Sequence, residues 1–221
     1  MAVIHRTTLT PTKLELLTPW LPVQPWYLGA EGRRPELDRT GGFRLDDPAG
    51  EVGIEFMVVT DTSGPGPVAY HVPLTYRGAP LPGAEHALIG TSEHGVLGTR
   101  WVYDGAHDPV VGAQLYALLV GEAEPQMQSV SDTPDPSVVA QFTESGSAAG
   151  LAVTAVTDAP YGTDIAISTA PEDRRLILRV HRVLGPGRED DAKALGDVTA
   201  HAPLPDGTPA RTAFVTARAR P

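Results

Sequence analysis

The stretch DRRLILRVHRVLGPG, residues 173–187, carries the most pointed chemistry in the chain. Leu176, Ile177 and Leu178 lead into a cation, Arg179, then Val180, with the basic pair His181 and Arg182 beyond. A guanidinium among apolar strand residues suits a phosphate, so Arg179 is the candidate cofactor contact, through a phosphate. A complete phosphate site also needs glycine-rich or helix-end backbone, metal ligands and a base. The plainer reading of Arg179 is a surface cation on an edge strand.

Other residue sets point elsewhere. Glu85-His86, Glu93-His94, Asp104 and His107 are the densest potential metal ligands. Zinc wants three or four converging ligands with support behind them, and strand alternation does not bring these together. They read as solvated loop residues, and no metal is expected. Trp101 and Tyr103, with Trp20, Trp26 and Tyr27, have the types a sugar-stacking platform uses, and Trp101 and Tyr103 are the candidate sugar contacts; aromatics at such positions are first of all core material. Asp46-Asp47 and Asp190-Asp191 are sequence neighbours that splay apart, as solvated loop residues do, which argues against glycosidase chemistry. No G-x-S-x-G elbow supports a nucleophilic hydrolase.

Composition narrows the classes further. A net charge of −10 over 221 residues argues against nucleic acid or an anionic membrane as the main partner. The absence of cysteine removes disulfides and thiol catalysis. No run approaches the length of a membrane span, and the N-terminus has no long apolar core, so a cytoplasmic location is expected. Gly (23) and Pro (22), spread between alternating apolar segments, predict many turns and a strand-rich fold.

The elements that must position these residues can be read in order. Residues 2–8 predict a strand. Thr10 as N-cap and Pro11 at the first helical position predict a helix with Leu14, Leu17 and Leu21 on its apolar face, ending before Pro22. Alternation from 33 to 61, a turn at 63–67 and a return over 68–76 predict a hairpin. A second antiparallel pair is expected at 87–90 and 95–103. Asp108-Pro109 opens a helix to about 120. The polar segment 131–137 is the candidate boundary between a domain over 1–130 and a strand-rich one over 138–221. Strands are expected at 138–143, 151–157, 163–169, 175–183 and 211–217, with a short helix at 189–195. The fold class is α+β: antiparallel sheets with few helices.

Three stretches together resemble one family. TPWLPVQPWYLG (18–29) is similar to the opening of the N-terminal cap domain of bacterial maltokinases. HVPLTYRGAPL (71–81), followed by GTRWVYDGAHDP (98–109) and an Ala/Leu-rich helix, follows the later order of that cap. ISTAPEDRRLILRVHRVLGPGRED (167–190) is similar to the strand hairpin of the ATP-binding lobe in those kinases.

The departures decide what the resemblance implies. Arg179 stands where the family usually has lysine. The family's catalytic loop and metal-binding aspartate would lie downstream, and the 34 residues after Gly187 hold no such motif; His201 is followed by Ala202 and Pro203, and Asp206 lies in a turn. The expectation is a non-catalytic, stand-alone cap-like protein without a cofactor. It would bind another protein or itself in α-glucan, maltose or trehalose metabolism. The alternative is an accessory subunit of an ATP-dependent sugar kinase completed by a separate catalytic chain. A nucleotide or sugar ligand has no further support in the residues.

Overall fold

The computed structural model describes residues 8–29, 32–170, 174–185, 194–203 and 208–220. The chain opens with β1 (Leu9–Thr10) and α1 (Lys13–Trp20). The N-cap is Thr12, not Thr10. Its side chain accepts from Glu15 N–H while Glu15 accepts from Thr12 N–H at 2.7 Å, a reciprocal capping box. Thr10 is drawn instead into strand pairing with Glu93. The strand expected over 2–8 falls almost wholly outside the described residues.

The predicted hairpins follow as β2 (Leu37–Asp46), β3 (Gly53–Asp61) and β4 (Val68–Arg77), then β5 (Leu88–His94) and β6 (Gly98–Asp104). Helix α2 (Pro109–Leu119) starts where expected: Asp108 Oδ1 accepts from Val110 N–H, and Pro109 takes the first helical position. The rest is strand: β7 (Gln126–Met127), β8 (Val139–Phe142), β9 (Ala152–Ala159), β10 (Gly162–Thr169), β11 (Arg174–His181), β12 (Val183–Leu184), β13 (Gly196–Pro203) and β14 (Pro209–Ala219). Strands make up 49% of the described residues and helices 14%, so the α+β expectation holds only broadly and the fold is mainly β. The helix predicted over 189–195 lies almost entirely outside the described residues.

Two antiparallel sheets carry the chain. The first has the order β1-β5-β6-β4-β3-β2-β7, with β12 joined to β4; the second has the order β8-β13-β14-β11-β10-β9. The first sheet is covered on both faces. One face packs Met57, Val59, Tyr70 and Val72 against Leu17, Leu21 and Trp26. The other packs Phe43, Phe56 and Val58 against Leu115 of α2 and Leu178, Val198 and Phe214 of the second sheet. A strand buried on both sides needs apolar residues on both faces, which is why β3 runs apolar from Phe56 to Val59, with the buried Glu55 before them held by partners. The shared cluster also joins the segments on either side of 131–137, where Gln126 bridges to Pro134.

Local departures from regular pairing have visible causes. Pro73 falls where β4 changes partner, between the Ala69–Tyr70 pairing with β12 and the Leu74–Arg77 pairing with β6, an interval that suits a missing N–H. In β9 the register slips, so that Ala166 faces Ala155 but Ile167 faces Val153. This bulge puts Val153 and Val156, three apart in sequence, on the same core-facing side. The C-terminal segment 209–219 does not merely cap the sheet: β14 lies inside it, paired with both β11 and β13.

Candidate functional site

The 174–184 stretch is one run of chain that changes sheets at Arg182. The Arg182 N–H donates to Tyr161 O beside the second sheet, and its C=O accepts the N–H of His71 on β4, both at 2.8 Å. The guanidinium repeats the connection. Nη2 reaches both carboxylate oxygens of Asp104 at 2.8 and 2.6 Å, Nε donates to Thr163 Oγ at 2.8 Å, and Cζ lies 4.9 Å from the Trp26 ring centre. Asp104 ends β6 and Thr163 is the second residue of β10, so one side chain ties both sheets. Arg182 is 0% exposed and Asp104 3%, a dry setting in which a charge must be paired.

A polar path leads from this pair to the surface. Thr163 O–H donates to Asp158 Oδ1 at 2.6 Å. Asp158 Oδ2 lies 3.4 Å from His107 Nε2, and His107 Nδ1 lies 3.2 Å from Nε2 of exposed His86. Partial burial would raise the Asp158 carboxyl, but His107, the Thr163 hydroxyl and the charge of Arg182 outweigh it and hold it at about 2.

Beside Arg182, His71 is sealed between the rings of Phe56 and Phe214, with centres 5.9 and 4.6 Å away. Burial first, then the charge of Arg182, pushes its pKa down to about 3. The neutral ring donates Nδ1–H to His181 O at 3.0 Å.

The remaining buried carboxylates are also held. Glu55 accepts from Lys13 at 2.5 Å, Tyr76 at 2.6 Å and Gln128 at 2.7 Å. Burial opposes its charge, yet Lys13 and these hydrogen bonds keep its pKa below the usual carboxylate range. Asp61 accepts from the Tyr27 hydroxyl and the N–H groups of Ser63 and Glu36. Asp108 takes Arg77 in a two-pronged pair, both contacts 2.7 Å.

The residues singled out in the sequence fall as follows. Arg179 donates Nε–H to Asp164 at 2.8 Å, and Arg218 shares that carboxylate at 3.0 Å. It does not lie on an edge strand, because β11 runs between β14 and β10. Tyr103 is buried, and its hydroxyl accepts from Leu81 N–H at 2.8 Å; Trp101 packs with it against Leu81, Ala84 and Ala87. Trp20 meets Trp26 edge-on, Trp26 tilts against Tyr70, and Tyr27 stacks on the same Tyr70.

Of the potential metal ligands, Asp104 is taken by Arg182 and Glu93 by Thr99, while His94 Nδ1 receives the N–H groups of Val96 and Leu97. His86 and His107 alone among that set come together. Asp47 is not a solvated loop residue: it is buried and accepts the N–H groups of Ala49, Glu51 and Val52, holding the β2–β3 turn. Asp190, Asp191 and Asp206 lie outside the described residues.

The sequence held a signal for Arg182 that residue type alone conceals. Side chains alternate along a strand, and Leu176, Leu178 and Val180 are all buried, whereas Ile177 and Arg179 are only partly so. Arg182 continues the inward phase.

The outermost strand of the second sheet, β9, contrasts with these locked groups. Its sequence AVTAVTDA has one charge, Asp158, and no proline or lysine, and most of its positions are exposed. Of the usual guards against pairing with other chains, it carries the bulge between Val153 and Ala155 but neither lysine nor proline.

A mainly antiparallel two-sheet protein, with its buried charged groups paired inside and the bulged strand β9 at one edge of the second sheet, is the class these features define. Residues 20–108 match the maltokinase N-terminal cap domain, which places α2 and β7 to β14 beyond the matched segment. No curated protein matches the chain. No helix among the described residues is long and apolar enough to cross a membrane.

Proposed function

We propose that this chain is a non-catalytic, cap-like protein that binds another protein of α-glucan, maltose or trehalose metabolism. The observation that carries the reading is the fate of Arg179. The cation standing where the kinase lobe would place its phosphate-binding lysine is committed to Asp164, in a sheet whose packing already employs that strand on both sides. Its neighbour Arg182 is committed to joining the sheets. The family match supports the link to maltokinase-like proteins, and the pathway follows by analogy.

The partner docks by adding an extended segment to β9, the edge strand of the second sheet, along the regular stretch from Ala155 to Ala159. A net charge of −10 favours a neutral or basic segment and disfavours a second copy of the same chain.

Two measurements test this. Thermal unfolding with Mg·ATP, maltose or trehalose is expected to show no shift, whereas a ligand at a hundred times its dissociation constant would add about 2.7 kcal/mol. Cross-linking in native extract is expected to join one partner to residues flanking β9, and Ala155→Lys on the exposed edge is expected to abolish the capture. A nucleotide- or sugar-dependent shift, a partner indifferent to Ala155→Lys, or a self-associated chain would each overturn the reading.

A further inference from the structure

We propose that His86 Nε2 and His107 Nδ1 form a surface site for a divalent transition-metal cation of the zinc or nickel class. The two side chains meet because of strand register. Leu88 pairs with Tyr103 across β5 and β6, so the turn 85–87 before one strand lies against the turn 105–107 after the other. The facing nitrogens are 3.2 Å apart and the ring centres 5.0 Å, with the rings at 88°.

That spacing matches chelation. Two nitrogens bound at 2.0–2.1 Å to one tetrahedral cation lie about 3.3 Å apart, and extending the bond lines to the ring centres gives about 5.1 Å. Imidazole nitrogen is the ligand that zinc and nickel favour.

The support behind the pair is also present. His107 Nε2 faces the Asp158 carboxylate at 3.4 Å, which favours the proton on Nε2 and leaves the Nδ1 lone pair for the cation. Asp158 is itself fixed by the Thr163 hydroxyl, and Thr163 by Arg182. In the metal-free protein one proton sits between the two histidines; the cation takes its place while His86 shifts its own proton to Nδ1. Among the described residues no set of three or more His, Cys, Asp and Glu converges, so water completes the coordination. The cation would tie the 85–87 turn to β9 through Asp158 and stiffen one end of the exposed edge.

Calorimetric titration of the full chain with zinc chloride and nickel chloride at neutral pH tests this. One equivalent is expected to bind. His86→Ala, an exposed substitution that leaves the core intact, is expected to weaken binding at least tenfold, as is His107→Ala. Asp158→Asn is expected to weaken it about tenfold, within the range found for such supporting carboxylates, while exposed His201→Ala on β13 changes nothing. No uptake of either metal, or uptake that survives His86→Ala, would overturn the site.

Discussion

Arg179 and Arg182 occupy the same stretch of chain and have opposite fates. Arg179 keeps its side chain 29% exposed and shares Asp164 with Arg218. Arg182 is wholly buried and grips one residue from each sheet. The same residue type thus serves as a solvated partner in one case and as the pin of the fold in the other. Strand parity makes the difference, because three steps along a strand reverse the face.

The largest expected consequence of this contrast is in stability. Asp104→Ala leaves a buried guanidinium without its counter-charge, and breaking such a pair costs about 3–5 kcal/mol; urea unfolding would read it. A shift below about 1 kcal/mol would mean that Arg182 relaxes into solvent and that the two arginines are alike.

The next effect is pH-dependent and belongs to the Arg182 end alone. His71 has a folded-state pKa lowered to about 3, against about 6.5 in an unfolded chain. Between those values the unfolded state binds the extra proton, so the contribution is full above the unfolded value and fades as pH falls. Lowering the pH from 6.5 to 4.5 should cost up to about 2.7 kcal/mol from this group. His71→Phe should remove that part of the slope, and an unchanged slope would show that other groups govern it.

The smallest effect sits at Arg179. Arg179→Ala should cost under about 1 kcal/mol, as partly exposed ion pairs do, and should leave the response to Mg·ATP unaltered. A larger loss, or a nucleotide response that vanishes with it, would sharpen the comparison in the opposite direction and return Arg179 to phosphate binding.

Much of the fold was legible because period and punctuation act locally. The turn at 63–67, the Asp108-Pro109 helix start and most of the strands expected in the second half follow from alternation and turn residues. What escaped depends on contacts distant in sequence. Thr12 outcompeted Thr10 as a cap because Glu15 could answer it and because Thr10 found a partner at Glu93. Strand β13 carries little signal in the sequence because GDVTAHAP is short in large apolar residues, and its place is set by pairing with β8 and β14. Asp46 and Asp47 look equivalent in sequence, yet a turn aims three N–H groups at Asp47.

The site was less legible than the fold. His86 and His107 belong to a set that strand alternation scatters, and the β5–β6 register joins only those two. Asp158 and Thr163 carried no local motif and became visible only through Arg182.

The most direct test of the central claim, that Arg182 joins the two sheets through Asp104, is a double-mutant cycle on stability. Asp104→Ala, Arg182→Met and the double variant are unfolded in urea beside the native chain. Strong non-additivity is expected, with a coupling of about 1–3 kcal/mol, the double variant losing far less than the two single losses combined. Additivity within about 0.5 kcal/mol would contradict it and leave the stretch without its structural role.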